Sequence, residues 1–266
     1  MIRLLEEVSL GAWPALATIF HDGWILRFAD GYTRRANSVN PLYPGTIPID
    51  EKIAFCESAY RAKGQRVVFK MTETAEPRDL DRILTERGYA AEARTDVMTC
   101  GLADQPHIAS RRVREWHRAD DAWLTACADL NGVATNHRAT LASIVGSIAS
   151  PLCCAALSDN GEIASCGMAV VQDQWVGLFD IVTHEQRRRQ GLAGELIAHL
   201  LAWARRQGAR HAYLQVMRDN PNALRLYDKI GFTAQYEYWY RVETALQPLH
   251  GPISGSLGNL HGSGKT

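Results

Sequence analysis

The sequence predicts an α/β protein of the α+β type, with two domains that each hold a mixed, mostly antiparallel central sheet flanked by helices. The 266 residues correspond to roughly two domains of average size. Hydrophobic residues make up 46% and charged residues 22% of the chain, which is typical of a folded protein with a sizeable core. Runs rich in β-forming residues alternate with segments of helical periodicity in both halves. We place the domains at residues 1–105 and 106–246, followed by a flexible Gly/Ser-rich tail at 247–266.

The first half is predicted to contain three helices and several short strands. The dipeptide Asp30-Gly31 is typical of tight turns and predicts a hairpin between two β-rich runs. Gly64 and Gly88 each follow an apolar-periodic segment and predict helix C-caps. In chain order we expect a helix at 2–10, the hairpin within 23–39, a helix at 49–64, a strand at 65–71, a helix at 76–88 and a strand at 90–100.

The second half is predicted to start with a strand and two helices and to continue with an antiparallel meander. Asp120 is a favourable N-cap residue, and Asn160-Gly161 predicts a turn in the meander. A broad apolar stripe that includes Leu192, Leu196 and Leu200 predicts a long helix. We expect a strand at 112–116, helices at 120–130 and up to 150, strands at 152–159, 163–173 and 174–183, a helix at 190–208, a strand at 211–217, a helix at 220–231 and a strand at 234–242.

The two halves resemble each other over their last two helix–strand units. When residues 59–71 are laid over 202–217, Gly64 falls opposite Gly208, and Gly88 falls opposite Gly231 one residue out of step. Any two helix–strand units share an apolar rhythm and a glycine cap, but here the whole order of elements recurs. We therefore favour an internal duplication.

Composition and charge exclude several classes of protein. Lys+Arg and Asp+Glu both number 29, which argues against a dedicated nucleic-acid binder. The first residues, MIRLLEEVSLGAW, do not form a signal peptide, and no run approaches the ~20 apolar residues that span a bilayer. We expect a cytoplasmic protein. The 6 cysteines have neither the spacing of a zinc site nor that of a disulfide framework, so we predict no metal site.

A cluster of arginines and glycines follows the strand that ends at Ile181, Val182 and Thr183. The sequence HEQRRRQGLAGEL at 184–196 places it where a strand turns into a helix. Free backbone N–H groups and the positive end of the helix dipole would suit an anion such as phosphate. The alternative is a solvated arginine cluster that caps an ordinary strand–helix turn.

The segment RRQGLA at 188–193 resembles the acyl-CoA pyrophosphate motif R/Q-x-x-G-x-G/A of the GNAT superfamily of N-acetyltransferases. The segment NPNALRLYDKIGF at 220–232 is similar to a second pattern of that family, Asn-x-x-Ala-x-x-x-Tyr-x-x-x-Gly-Phe. The resemblance covers about residues 112–243, with both motifs in the expected order and separation. It implies an acetyltransferase that uses acetyl-CoA as cosubstrate, without a metal.

The resemblance also implies individual roles. Main-chain groups of Ile181, Val182 and Thr183 would pair with the pantetheine arm like an added strand. Asn220 would hydrogen-bond the cosubstrate. Tyr227 would protonate the departing CoA thiolate, although an aromatic residue facing the core would show the same spacing. The residues implied to hold the pyrophosphate are Arg188, Arg189, Gln190, Gly191, Leu192, Ala193 and Gly194.

The group that removes the proton from the acceptor amine is left open by the sequence. Many family members carry Glu in the strand before the Asn motif, where this chain has Gln215, and a carboxamide is not a useful base. Asp180, Glu237 and His184 are candidates for a base. Alternatively, water and an amine of lowered pKa suffice.

The sequence thus predicts a tandem GNAT N-acetyltransferase whose partners are acetyl-CoA and a primary amine, either small or on a protein. We expect the C-terminal half to bind CoA by itself and the N-terminal half to be a degenerate copy, because it lacks the phosphate motif and has Leu84 in the place of Tyr227. A non-catalytic acyl-CoA-binding regulatory module is the alternative. Whether the chain forms a homodimer stays open.

Overall fold

The computed structural model describes residues 1–103, 105, 110–159 and 161–244. The tail expected at 247–266 lies outside them. Within the described residues the helices are α1 (Ile2–Ala12), α2 (Ile49–Arg61), α3 (Leu80–Glu86), α4 (Asp121–Leu130), α5 (Arg138–Gly146), α6 (Leu192–Arg206) and α7 (Pro221–Ile230). The strands are β1 (Ala17–His21), β2 (Trp24–Phe28), β3 (Val39–Asn40), β4 (Val68–Thr72), β5 (Tyr89–Gly101), β6 (Val113–Trp116), β7 (Leu152–Asp159), β8 (Glu162–Gln172), β9 (Trp175–Thr183), β10 (His211–Met217) and β11 (Thr233–Glu243).

The described strands of both halves form one 11-stranded sheet in the order β1-β2-β3-β4-β11-β5-β10-β9-β8-β7-β6. Two neighbouring pairs, β3 with β4 and β9 with β10, are parallel, and the other pairs are antiparallel. The predicted class, a mixed and mostly antiparallel sheet flanked by helices, is confirmed. The sequence predicts one sheet in each half, whereas the structure joins the strands into a single sheet.

The last strands of the two halves are exchanged. Strand β5 ends the N-terminal half but lies between β10 and β11, so that Val97 faces both Gln215 and Tyr236. Strand β11 ends the C-terminal half but lies between β4 and β5, with Tyr240 opposite Lys70. The last strand of each half therefore lies between two strands of the other half. A boundary near residue 105 remains our proposal for where the two sequence repeats meet.

The exchange is consistent with the internal repeat. Suppose that β4 corresponds to β10 and β5 to β11. Replacing each strand by its counterpart then turns the central order β4-β11-β5-β10 into the same order read backwards, as expected for a pseudo-twofold arrangement of the two repeats. The glycines aligned in the sequence, Gly64 with Gly208 and Gly88 with Gly231, all adopt positive φ just after the corresponding helices. That left-handed conformation carries no steric penalty for glycine, which explains why these helices end there.

The N-cap of α4 and the buried face of α6 are those that the sequence predicts. The Asp120 side chain accepts hydrogen bonds from the N–H groups of Ala122 and Trp123 at the start of α4. One face of α6, including Leu196 and Leu200, is buried against the sheet. Helix α1 belongs to the N-terminal half in sequence, but its Leu5 packs in the same cluster as Trp123 of α4. None of the helices in the described residues is long and apolar enough to cross a membrane.

The predicted turn at Asp30-Gly31 is present, but the two strands do not meet directly across it. Both residues have positive φ, and the N–H of Tyr32 donates to the carbonyl oxygen of Ala29. The chain then continues as a loop through a short 3₁₀ turn at Arg34–Ala36 to β3, which pairs antiparallel with β2 over two residues. A tight hairpin, which the sequence does not predict, joins β1 to β2 through Asp22-Gly23.

The exchange of strands argues against the expectation that the C-terminal half functions by itself. A fragment of residues 106–244 leaves β10 and β11 without the strand that pairs with both. We expect this fragment to lack a cooperative thermal unfolding transition in circular dichroism. Co-expression with residues 1–103 is expected to restore the transition, because that fragment supplies β5. Cooperative unfolding of residues 106–244 alone would contradict this account of the sheet.

Candidate active site

A gap opens in the sheet where β9 and β10 separate. Their parallel pairing extends from Trp175 and His211 to Leu178 and Leu214 and then ends. On the other side of β9, the register with β8 shifts, so that Gly167 faces both Asp180 and Ile181. Asp180 has a φ of 51°, as expected for a bulge residue. The bulge and the separation of the strands together create the space for two adjoining cavities.

The first cavity, here called the loop cavity, has a volume of about 370 Å³ and lies beside the start of α6. Its walls include Ile181 and Thr183 of β9 and Ala223 and Tyr227 of α7. Most of the residues predicted to hold a pyrophosphate also line it, namely Arg188, Arg189, Gly191, Leu192, Ala193 and Gly194. Within the described residues, neither Val182 nor Gln190 contributes to its lining.

The backbone of residues 188–194, the anion-binding loop, is shaped for close approach of a ligand. Arg189 and Gly191 have φ values of 63° and 80°, and an added Cβ at Gly191 would meet no protein atom within 4 Å. Helix α6 starts at Leu192, and the N–H groups of a first helical turn have no partner inside the helix. The loop therefore offers donors, the positive end of a helix dipole and free space on the same side.

Nearby arginines differ in how far their charges are already engaged. Arg187 is paired with Asp159 at 3.2 Å. Arg188 donates from Nε to the carbonyl oxygen of Thr183 at 3.4 Å. Arg189 has neither a side-chain hydrogen bond nor an ion pair within the described residues, so its guanidinium is available to an anion.

The second cavity, here called the central cavity, has a volume of about 490 Å³ and adjoins the first. The two cavities share Ile181, Ala223 and Tyr227 as wall residues. The predicted residues Asn220 and Gln215 line the central cavity. It runs along the gap between β9 and β10 and is closed on its far side by residues of the N-terminal half and β11, namely Thr33, Arg34, Arg35, Ala93, Thr95, Tyr238 and Tyr240.

Tyr227 stands where the two cavities meet. Its side chain is nearly buried and packs edge-on against Phe232 with the ring centroids 6.0 Å apart. Burial raises the pKa of Tyr227 to about 12. Within the described residues the hydroxyl has no hydrogen-bond partner, so it is protonated at neutral pH and free to donate. The packing interpretation and the predicted acid role are thus compatible in one residue.

Asn220 has a structural role in addition to the role that the sequence predicts. Its Oδ1 accepts a hydrogen bond from the N–H of Ala223 at 3.1 Å, which caps α7. Pro221 at the first helical position favours the same start. Within the described residues the NH₂ group of Asn220 has no hydrogen-bond partner, and Asn220 lines the central cavity.

The candidate bases lie in different places. Asp180 lines the central cavity. Glu237 forms ion pairs with Arg94 at 2.6 Å and Arg218 at 2.5 Å and is not part of the lining. His184 is exposed at the start of a short 3₁₀ turn, also outside the lining. Of these three side chains, Asp180 alone can reach a molecule in the cavity.

Gln215 is fixed by a neighbour from β11. The hydroxyl of Tyr238 donates to Oε1 of Gln215 at 3.1 Å, which leaves the carboxamide NH₂ of Gln215 as a donor. The sequence suggests core packing first and a substrate wall second for Tyr236, Tyr238 and Tyr240. Tyr238 and Tyr240 are buried and also line the central cavity.

Comparison with known proteins adds to this geometry. Residues 1–241 match the family model described as "Probable histone acetyltransferase Rv0428c C-terminal". The chain belongs to this family of GNAT acetyltransferases. It is therefore an acyltransferase, and GNAT acetyltransferases use acetyl-CoA as cosubstrate.

Two relatives of this GNAT acetyltransferase match about nine-tenths of its length, and a third matches a shorter stretch. It is 28% identical over 246 residues to "Uncharacterized N-acetyltransferase YobR" of Bacillus subtilis, covering 91% of this chain and 98% of the relative. It is 26% identical over 249 residues to "Probable histone acetyltransferase Rv0428c" of Mycobacterium tuberculosis, covering 90% and 73% respectively. A stretch of 76 residues, 29% of this chain and 51% of the relative, is 32% identical to "[Ribosomal protein bS18]-alanine N-acetyltransferase" of Escherichia coli.

Solved structures share the fold of this GNAT acetyltransferase. A GCN5-related N-acetyltransferase from Kribbella flavida superposes with a TM-score of 0.66 at 16% identity, covering 91% of this chain and 95% of the other. A tandem GNAT protein from the clavulanic acid biosynthesis pathway superposes with a TM-score of 0.57 at 11% identity, covering 90% and 87%. At these identities the likeness concerns the fold alone.

Two substitutions test whether the side chain of Asn220 caps helix α7. Asn220→Ala removes the cap, and we expect it to lower the free energy of unfolding by about 1 kcal/mol. Asn220→Asp keeps an oxygen for the N–H of Ala223, so we expect its stability to stay within about 0.5 kcal/mol of the wild type. Urea unfolding followed by circular dichroism measures both. Equal destabilisation by the two substitutions would show that the cap is not what Asn220 supplies.

Proposed function

We propose that this protein transfers the acetyl group of acetyl-CoA to a primary amine by direct attack of the amine on the thioester. The observation that carries the proposal is the meeting of two cavities at Ile181 and Tyr227, one beside an anion-binding loop and the other with polar walls. A cosubstrate bound along the gap would place its phosphates at one end. Its thioester would then reach the junction, where the amine arrives from the central cavity.

The loop cavity suits the pyrophosphate of CoA. Backbone N–H groups of residues 189–194 would bind its oxygens, and Arg188 and Arg189 would add positive charge. Main-chain groups of Ile181, Val182 and Thr183, beyond the point where β9 leaves β10, would pair with the pantetheine arm. The NH₂ group of Asn220 would donate to the same molecule. Acetyl-CoA supplies the acetyl group as a reactive thioester.

The acceptor is a primary amine on a small molecule, an amino acid or a protein. The name of one relative refers to a histone as its substrate, and the name of another refers to a ribosomal protein. A protein amine therefore belongs among the acceptors to be tested here. The central cavity is bounded by Arg34 and Asp219 as well as by aromatic rings, which suits a polar acceptor with an apolar stem.

Tyr227 is the proposed acid. The neutral amine attacks the carbonyl carbon, the carbon–nitrogen bond forms and the carbon–sulfur bond breaks. The CoA thiolate would take its proton from the hydroxyl of Tyr227, which burial keeps protonated at neutral pH, and the phenolate would regain a proton from the attacking nitrogen. Donors around the junction, such as the NH₂ group of Gln215, would stabilise the oxyanion.

A glycine pair tests whether the anion-binding loop is essential. Gly191→Val puts a branched side chain into the space where the phosphates would lie, so we expect acetyl-CoA-dependent thiol release with pooled amines and peptides to fall below detection. Gly208→Val is the matched control, because Gly208 also has positive φ with no atom near an added Cβ, but lies after the far end of α6. If the two variants lose similar stability and release thiol at similar rates, the anion-binding loop is not part of the acetyl-CoA site.

Tyr227→Phe tests the acid role. We expect kcat to fall by about 10²-fold with little change in KM, because the proton is needed in the transition state and not for binding. The measurement is steady-state thiol release at saturating acetyl-CoA. If turnover stays within about twofold of the wild type, Tyr227 acts through packing alone.

A non-catalytic acyl-CoA-binding module is the second candidate, and Gln215 is the observation that favours it, because a carboxamide stands where many relatives have a carboxylate. The two candidates differ in a simple way. A binding module would bind acetyl-CoA in calorimetry and release no thiol with any amine. Thiol release that depends on an added amine excludes it.

A further inference from the structure

We propose that Arg35, from the N-terminal half, is a positioning residue for acetyl transfer: it holds the Asp180 carboxylate ionised at the central cavity, where that carboxylate takes the proton of the acceptor amine. The inference rests on the proposed function. It assigns a task to the N-terminal half, which the sequence predicts to be a degenerate copy.

The contact between the two side chains joins the halves at the cavity wall. Nη2 of Arg35 lies 3.4 Å from Oδ1 of Asp180. The side chains are 26% and 13% exposed respectively, so the pair is screened from bulk water but open to a molecule in the cavity. The guanidinium also lies 4.6 Å from the ring centroid of Trp13 and 5.6 Å from that of Phe179. Two aromatic faces thus restrict where Arg35 can point.

The loop that carries Arg35 is held by buried polar groups. The Asn37 carboxamide accepts from the N–H groups of Ala29 and Gly31 and donates to the carbonyl oxygens of Tyr32 and Thr33. These four hydrogen bonds tie both ends of the loop to one buried side chain. The loop is therefore a fixed support and not a surface segment that adapts to its neighbours.

A second buried side chain fixes the backbone at Arg35 itself. Arg27 donates to the carbonyl oxygen of Arg35 at 2.6 Å and, with its other nitrogen, to the carbonyl oxygens of Leu10 and Trp13. Burial lowers the pKa of Arg27 to about 10, so it is still charged at neutral pH. Arg27 thereby holds together the two segments that supply Arg35 and Trp13.

Backbone strain marks the same loop. Thr33 has a φ of 56°, a conformation that β-branched residues rarely adopt, and its hydroxyl accepts from Nε1 of Trp13 at 3.1 Å. Strained residues persist where the surroundings hold them, and they concentrate at functional sites. The strain lies two residues before Arg35, next to the cavity wall that Arg35 forms.

The charges around Asp180 leave Arg35 as its counterion. Burial raises the pKa of Asp180, while the positive charge and the hydrogen bond of Arg35 lower it. Arg34, the other cation on the cavity wall, is paired with Glu92. The remaining titratable side chains nearby are phenols, thiols and one carboxyl group, none of which is a cation: Tyr32, Cys127, Cys154, Cys166, Asp219, Tyr227, Tyr238 and Tyr240. Without Arg35 the Asp180 carboxyl would therefore gain its proton at higher pH.

The acceptor arrives as an ammonium ion, and one of its protons passes to the Asp180 carboxylate, directly or through one water. The resulting neutral amine forms the carbon–nitrogen bond, the carbon–sulfur bond breaks, and the thiolate takes the proton of Tyr227. The nitrogen, which still carries one proton more than the amide needs, passes it to the Tyr227 phenolate, directly or through water, and Asp180 releases its proton to water. The ammonium ion thus loses two protons, one to Asp180 and one to Tyr227, and Arg35 changes neither its charge nor its bonds.

The test compares pH profiles of kcat/KM for the full-length wild type with Arg35→Met and Arg35→Lys, using acceptor amines of different basicity. In the wild type we expect an acid limb at one pKa for all amines, because Asp180 and not the amine sets it. In Arg35→Met we expect that limb to move up by about one pH unit or more, which lowers activity about tenfold at any fixed pH on the limb. Arg35→Lys restores a positive charge and is expected to return the limb towards the wild-type position.

Two further variants complete the comparison. Asp180→Asn removes the proposed acceptor of the proton, so the acid limb should then follow the pKa of each amine. Arg82→Met is the control, because Arg82 is an exposed arginine of the N-terminal half that pairs with Asp79 and Glu86 and lines neither cavity. We expect its profile to match the wild type. Calorimetric binding of acetyl-CoA and thermal unfolding establish that each variant is folded.

The outcomes separate the two proposals. If the wild type releases no thiol with any amine, the proposed function fails. If the wild type is active but the acid limb follows each amine, or Arg35→Met leaves the limb in place, Arg35 has no positioning role and the inference fails. Should Arg35→Met not fold, Arg35→Lys and Asp180→Asn decide alone: an unmoved limb in Asp180→Asn overturns the inference.

Discussion

The exchange of strands β5 and β11 is the constraint on which the rest of the structure depends. Neither strand pairs with the strand that precedes it in the chain; each is inserted between two strands of the other half. The insertion brings Thr95 of β5 and Tyr238 of β11 beside Gln215 of β10, on the wall of the central cavity. A C-terminal half with its own complete sheet would have a different wall there. The site is thus assembled by the pairing of the two halves.

A buried ion pair of the N-terminal half is bound to the C-terminal half by a hydrogen bond. Lys70 of β4 is paired with Glu6 of α1 at 2.6 Å, and the hydroxyl of Tyr236 on β11 donates to the same carboxylate at 2.8 Å. A buried polar group or charge that loses its partner is costly. The hydrogen bond from Tyr236 therefore penalises any arrangement in which the halves dock differently. The Arg35–Asp180 pair crosses the same junction and is subject to the same penalty.

The parts of the fold and site that the sequence predicts are those encoded by contiguous segments. The strand, loop and helix around Gly191 can be predicted because glycine, arginine and apolar periodicity all point to one local geometry, and the position of Tyr227 on α7 follows from its spacing to Asn220. Family membership and the sheet class are confirmed. The individual site roles stay predictions. The contributions of Thr33 and Arg35 could not be predicted, because they depend on pairing between distant strands. The hairpin prediction has a related limit: both Asp-Gly dipeptides form turns, but how long a strand follows each turn depends on tertiary packing.

The exchange also dictates the order in which the polypeptide can fold as it leaves the ribosome. About 110 residues separate Gly101, the end of β5, from His211, the start of its first partner strand. Strand β5 emerges with both edges unpaired and acquires neither neighbour until nearly the entire chain has been synthesised. Closing so long a loop is slow, and open strand edges are prone to aggregation while they wait. The nascent N-terminal half is thus exposed to aggregation before α6 and α7 have been synthesised.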